Sequence, residues 1–178
     1  MAFSLSVSSL TLLSIFLSFL FFNHSLAASD ELINSICSST HNPSLCVQSL
    51  KSDPRTTSAD LKGLGGISID IAQSNAKSTF NMILSLINQT TDPKLKDRFD
   101  TCRENYDDSI SDLDECRQLL NSGDYLGLNI HASAALDGGE TCNDNFEGPP
   151  AEPAELKQAN QKLEDLCDII LVISNRLK

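Results

Sequence analysis

A chain of 178 residues with a formal net charge of -11 has room for one domain with a real core, and its charge has the wrong sign for nucleic acid or an anionic membrane. Its field suits basic partners. With three histidines and six cysteines, no Cys-His spacing of a metal site and no His-Glu-x-x-His, the composition points away from metal or cofactor chemistry and, in a secreted chain, toward a disulfide framework.

The first 28 residues contain no Lys, Arg, Asp or Glu and hold an apolar run from Leu10 to Phe22, followed by His24, Ser25, Leu26, Ala27 and Ala28. The pattern predicts a secretory signal peptide over 1–28, cut after Ala27 or Ala28. The run is short for a membrane span, is interrupted by serines and lacks a basic flank, so a secreted chain is expected rather than an anchored one.

Glu31 to Ser39 and Pro43 to Lys51 then read as two short helical pieces about a Thr-His-Asn-Pro turn, a helical hairpin within 29–57. Cys37 and Cys46 flank the turn, and a bridge between them would fix a hairpin that buries little surface of its own. After a loop from Asp53 to Thr57, Thr57 or Ser58 is expected to cap a long helix from about Ala59 to Thr90, with Leu64, Ile67, Ala72, Ala76, Phe80 and Ile83 near one face. Gly63, Gly65 and Gly66 in its first turns do not match a phosphate loop and point to close helix packing or a kink. Asn88-Gln89-Thr90 at its end is a glycosylation sequon.

Asp92 and Pro93 suit the N-cap and first position of the next helix. In it Leu95, Phe99, Cys102, Tyr106, Ile110, Leu113, Cys116 and Leu120 recur at spacings of three and four, the mark of one buried face. Gly123 and Asp124 stop that helix and cap a third, where Tyr125, Leu128, Ala132, Ala135, Cys142 and Phe146 keep the period until Gly148-Pro149-Pro150. A fourth is expected from Glu152 or Pro153, with Leu156, Leu163, Leu166, Ile170 and Ile173 on its face. Four amphipathic helices of roughly 24 to 32 residues with short turns predict an all-α fold, an up-down-up-down four-helix bundle over 58–178 with the N-terminal hairpin as an extension.

Cys102 and Cys142 lie about equally far from the turn near Ser122, so antiparallel folding at ~1.5 Å per residue brings them to one height, and geometry nominates a bridge. Cys116 and Cys167 fall ~34 Å and ~22 Å along helices that run the same way, a mismatch beyond the reach of a disulfide. Both lie on apolar faces and are expected to be buried free thiols. His131 stands alone on the third helix, and the acidic run Asp107, Asp108, Asp112, Asp114 and Glu115 offers no pair of carboxylates facing across a cleft. That run reads as a solvated face able to dock a basic partner, and no enzyme is expected.

Taken together, the leader, the hairpin with Asn42-Pro-Ser-Leu-Cys46, Ala59-Asp-Leu-Lys-Gly-Leu64, the stretch Cys102-Arg-Glu-Asn-Tyr-Asp-Asp-Ser-Ile-Ser-Asp-Leu113, and Ser133-Ala-Ala-Leu136 followed by Thr141-Cys-Asn-Asp-Asn-Phe146 resemble the plant invertase and pectin methylesterase inhibitor family over nearly the whole mature chain. The resemblance implies a four-helix bundle with an N-terminal hairpin, bridges Cys37 to Cys46 and Cys102 to Cys142, and non-covalent inhibition of a secreted carbohydrate-active enzyme. Cys167 resembles the unpaired late cysteine of some members, while Cys116 departs from the common pattern. Invertase inhibitors of the tobacco type carry Pro-Lys-Phe shortly after a Gly-Asp; here Gly123-Asp124 leads into Tyr125-Leu126-Gly127, which favours pectin methylesterase as the target, with acid invertase as the alternative. Similar pollen proteins bear the invertase-inhibitor name. In pectin methylesterase inhibitors the polar residue before the fourth family cysteine contributes to the contact, which here is Thr141. The expected interface is Thr141, Tyr125, Asp107, Asp108 and Asp112, on a chain that is a monomer when free and works in the cell wall or vacuole without cofactor or metal.

Overall fold

A computed structural model describes residues 30–177; the expected leader lies outside the described residues. Helix α1 (30–37) and helix α2 (Pro43–Lys51) form the hairpin, a 3-10 turn covers Pro54–Ser58, and four long helices follow: α3 (Leu61–Gln89), α4 (Pro93–Ser122), α5 (Tyr125–Asp144) and α6 (Ala154–Ser174). No strand occurs among the described residues.

Three of the long helices start where a short acidic side chain takes up N–H groups left free by the first turn. The Asp60 carboxylate accepts from the Gly63 amide, Asp92 from Lys94 and Leu95, and Asp124 from Gly127. The cap of α3 is therefore not Thr57 or Ser58, because those residues belong to the 3-10 turn that Asp53 caps, after which Ala59 and Asp60 are extended. Helix α4 stops at Gly123, whose φ of 82° is left-handed and open to glycine without steric cost.

Helices α5 and α6 have 20 and 21 residues, fewer than expected, and α5 ends at Asp144 instead of running to Gly148. Beyond its end the chain is held by Arg98 on α4, only 7% exposed. Its guanidinium donates to the carbonyl oxygens of Glu147, Gly148 and Pro150 at 3.0, 3.0 and 2.6 Å and lies 5.4 Å from the centre of the Phe146 ring. Pro149 and Pro150 cannot continue a helix, and with its carbonyls turned to Arg98 the chain after α5 crosses α4 as a strap. Asn145 donates back to the Arg98 carbonyl at 3.0 Å, and Lys94 reaches the Pro149 carbonyl at 2.6 Å.

Helices α3 and α5 each pack against both α4 and α6, and so occupy opposite corners of the bundle. Leu64, Ile67, Ile83, Phe99, Leu113, Leu128, Leu163 and Ile170 fill the space between them. Two adjacent glycines let α5 sit close to both neighbours. A Cβ on Gly138 would stand 2.9 Å from the Asn105 carbonyl oxygen of α4, and one on Gly139 would stand 3.0 Å from the Asn160 carbonyl oxygen of α6. The glycines opening α3 serve the same end: Gly65 faces Ile173 and Leu120, and Arg117 crosses Gly66 to bond its carbonyl and the Asp70 carboxylate.

The hairpin lies on α3 and α6 with Ile33, Ile36 and Leu50 buried. Cys37 and Cys46 are disulfide-bonded, with α-carbons 5.4 Å apart. Two carboxylates of α6 hold the turn: Asp168 accepts from the His41 amide at 2.7 Å and Asp165 from the Asn42 side chain at 2.8 Å. Arg176 donates to Ser35 and Ser39 of the hairpin.

Candidate functional site

Four contacts set the register of α4 against α5. The disulfide Cys102–Cys142 joins them with α-carbons 4.7 Å apart, Ser109 Oγ donates to the Ala135 carbonyl at 3.0 Å, Asp112 meets His131 Nδ1 at 2.7 Å, and Cys116 Sγ lies 3.8 Å from the Leu128 carbonyl. Down the outer side of α5, Thr141, Asp137, Ala134, Ile130 and Leu126 follow at steps of three and four, all exposed. Leu126 and Ile130 are 74% and 58% exposed, the large hydrophobic side chains most open to solvent among the described residues. One end of this face is thus apolar and the other, beside the bridge, is polar and acidic.

Of the expected interface residues, Thr141 and Asp108 are exposed on this α4–α5 face, with Asp108 next to the Ser109 that touches Ala135. Asp112 sits in the seam, its side chain 24% exposed and bonded to His131. Asp107 is also exposed but lies about 100° further round the helix, on the flank of Asp114, which accepts from Gln73 of α3. Tyr125 is half-buried and packs on the core at the first turn of α5. Leu126 and Ile130 escaped the sequence reading, although two large aliphatic residues four apart and out of phase with the buried Leu128, Ala132, Ala135 and Cys142 are a signal of a second apolar stripe.

Behind the bridge a buried polar network ties α4, α5 and α6 together. Tyr106 donates to Asn160 Oδ1 at 2.9 Å; Asn160 Nδ2 donates to Asn143 Oδ1 at 2.9 Å and to Glu152 at 2.8 Å; Asn143 donates to Glu164 at 3.1 Å. Asn160 and Tyr106 are fully enclosed, and burial pushes the Tyr106 hydroxyl well above its ordinary value. Burial also raises the carboxyl groups of Glu152 and Glu164, helped at Glu164 by the negative charge of Glu140 and Asp165. A carboxyl whose pKa is higher folded than unfolded weighs against the fold once it is ionised, and the penalty fades as pH falls through the folded value toward the unfolded one. Glu164→Gln, which keeps an acceptor for Asn143, should therefore raise the melting temperature at pH 7 and leave it unchanged near pH 3; a scanning calorimeter run at both pH values checks this.

Cys116 and Cys167 are free and buried, and burial pushes the Cys116 thiol up to about 12, away from a reactive thiolate. Among the described residues no group of His, Cys, Asp or Glu is placed to hold a metal ion, and no helix is long and apolar enough to cross a membrane.

A family model described as plant invertase/pectin methylesterase inhibitor matches residues 31–173. The chain belongs to this inhibitor family. As a member of the plant invertase/pectin methylesterase inhibitors it is not itself an enzyme. It is 59% identical over 181 residues to a pectinesterase inhibitor of Actinidia deliciosa, spanning 99% of this chain and 98% of that one. It is 33% identical over 149 residues to the cell wall / vacuolar inhibitor of fructosidase 2 of Arabidopsis thaliana, spanning 82% and 83% of the two chains. The crystal structure of mutant form A of a pectin methylesterase inhibitor from Arabidopsis superposes with a TM-score of 0.75 at 33% identity, covering 82% of this chain and 97% of that one. The expected helical bundle is thus the fold of this family member.

Proposed function

We infer that this chain is a secreted inhibitor of a pectin methylesterase, which it binds non-covalently and one to one, laying its α4–α5 face over the substrate cleft. The observation that carries the choice of target is the 59% identity, end to end, to a protein named as a pectinesterase inhibitor. The segment after Asp124, Tyr125-Leu126-Gly127, lacks the Pro-Lys-Phe of tobacco-type invertase inhibitors and supports the same target. Exposed Asp108 and Asp137 on this face would complement basic residues at the rim of a cleft, while Leu126 and Ile130 supply an apolar anchor at its other end. Net negative charge keeps the inhibitor itself off pectin. Residues 29–178 act as one inhibitor domain, hairpin 29–57 and bundle 58–178, monomeric when free. Two disulfides suit an oxidising compartment, the cell wall first and the vacuole second. Acid invertase is the alternative target, favoured by the similarity to an inhibitor of fructosidase.

Titration of the disulfide-bonded protein into a pectin methylesterase and into an acid invertase decides between them. The esterase should be silenced at one inhibitor per enzyme with invertase untouched, and Ile130→Asp or Thr141→Arg should weaken inhibition by at least about tenfold. Inhibition of invertase alone transfers the assignment to the second target. Inhibition of neither by correctly bridged protein overturns both.

A further inference from the structure

We propose that Asn88 carries an N-linked oligosaccharide, held on the corner of the bundle diagonal to α5. Asn88-Gln89-Thr90 has the acceptor form, an asparagine two residues before a threonine with no proline between. A triplet of this form in a buried or continuous helical stretch has nowhere to hold a sugar. Here both obstacles are absent. Asn88 is exposed in the last turn of α3, five residues past the buried Ile83 and so roughly 140° round the helix from it. Helix α3 stops at Gln89, and Thr90 has φ -85° and ψ 138°, so the triplet spans the point where helix gives way to extended chain. The other triplet of this form, Asn23-His24-Ser25, falls within the expected leader.

The two disulfides point to passage through an oxidising secretory compartment, where a lipid-linked oligosaccharide diphosphate is the donor. In the transfer the bond from the sugar's anomeric carbon to the donor's diphosphate oxygen breaks and a bond to Asn88 Nδ2 forms. The amide gives up one proton and the diphosphate leaves with the bonding pair, with no oxidation or reduction. Position gives the sugar its consequence. Helix α3 packs against α4 and α6 and lies across the bundle from α5, so a hydrated glycan on Asn88 extends away from Thr141, Ile130 and Leu126. The modification stands on the acceptor geometry alone; its compatibility with inhibition rests on the reading of the α4–α5 face as the docking surface.

The test is the full chain, leader included, secreted from a eukaryotic host and weighed intact before and after peptide N-glycosidase. The secreted protein should lose one oligosaccharide, with asparagine converted to aspartate at position 88 in the peptide map. Asn88→Gln and Thr90→Ala should emerge at the bare polypeptide mass, and Thr90→Ser should keep the sugar. A wild-type protein secreted at the bare mass overturns the proposal. Glycosylated protein and Asn88→Gln should inhibit a pectin methylesterase with the same end point and affinity; a gain of more than about threefold on loss of the sugar overturns its placement away from the docking face. If neither form inhibits, the inhibitor assignment fails while the mass measurement still decides the glycan.

Discussion

Replacing Cys102 and Cys142 together by alanine should lower the unfolding free energy by about 2 to 5 kcal/mol. The bridge closes a loop with a sequence separation of 40, against 9 for Cys37 and Cys46. On a loop-entropy basis the longer loop is worth about 4 kcal/mol and the shorter about 2.5 kcal/mol, because the longer one removes more freedom from the unfolded chain. Urea titrations of the double variant and of wild type, compared at equal slope, measure the difference. An equal loss from removing Cys37 and Cys46 would mean that the unfolded-state account is wrong and that local packing sets the effect. The double variant should also lose inhibition, since Thr141 adjoins Cys142 and the register of α4 and α5 is what brings Asp108 beside the α5 face.

Gly138→Ala should cost about 1 to 3 kcal/mol, although alanine is the better helix former by about 1 kcal/mol. Its Cβ would approach the Asn105 carbonyl oxygen at 2.9 Å, and backbone cannot rotate out of the way as a side chain can. Helix α5 must then stand off from α4, which loosens the Ser109 to Ala135 and Asp112 to His131 contacts along the same seam. By contrast Gly123→Asn, at a left-handed position with open space around it, should cost well under half as much. Thermal melts of the two variants side by side check the order, and a Gly138→Ala protein as stable as wild type would show that the two helices do not meet as closely as described.

The bundle was legible because its signals are local and repeated: apolar residues three and four apart, and the aspartates at 92 and 124 with Pro93 and Gly123 at the helix boundaries. The pairing of Cys102 with Cys142 was legible for the same reason, as a symmetry about one turn. What stayed hidden depends on partners far along the chain. Nothing near Arg98 announces that it will draw three carbonyls of residues some fifty positions later and pin the chain beyond α5 as a strap. Asn160 reads as an ordinary polar residue on α6 until Tyr106, Asn143 and Glu152 close around it. The acidic run on α4 shows the limit at the candidate site. A run has no side in one dimension, whereas on a helix its neighbours Asp107 and Asp108 part by about 100° and face different helices.

The strap around Arg98 sets how the molecule answers acid. Its acceptors are backbone carbonyls, which take up no proton as the surroundings acidify, so the end of the bundle bearing Thr141 and the bridge keeps its shape. The glutamates beneath it are relieved by protonation rather than stressed. Acidification therefore leaves the strap's own hydrogen bonds in place and removes charge from the carboxyls that burial disfavours.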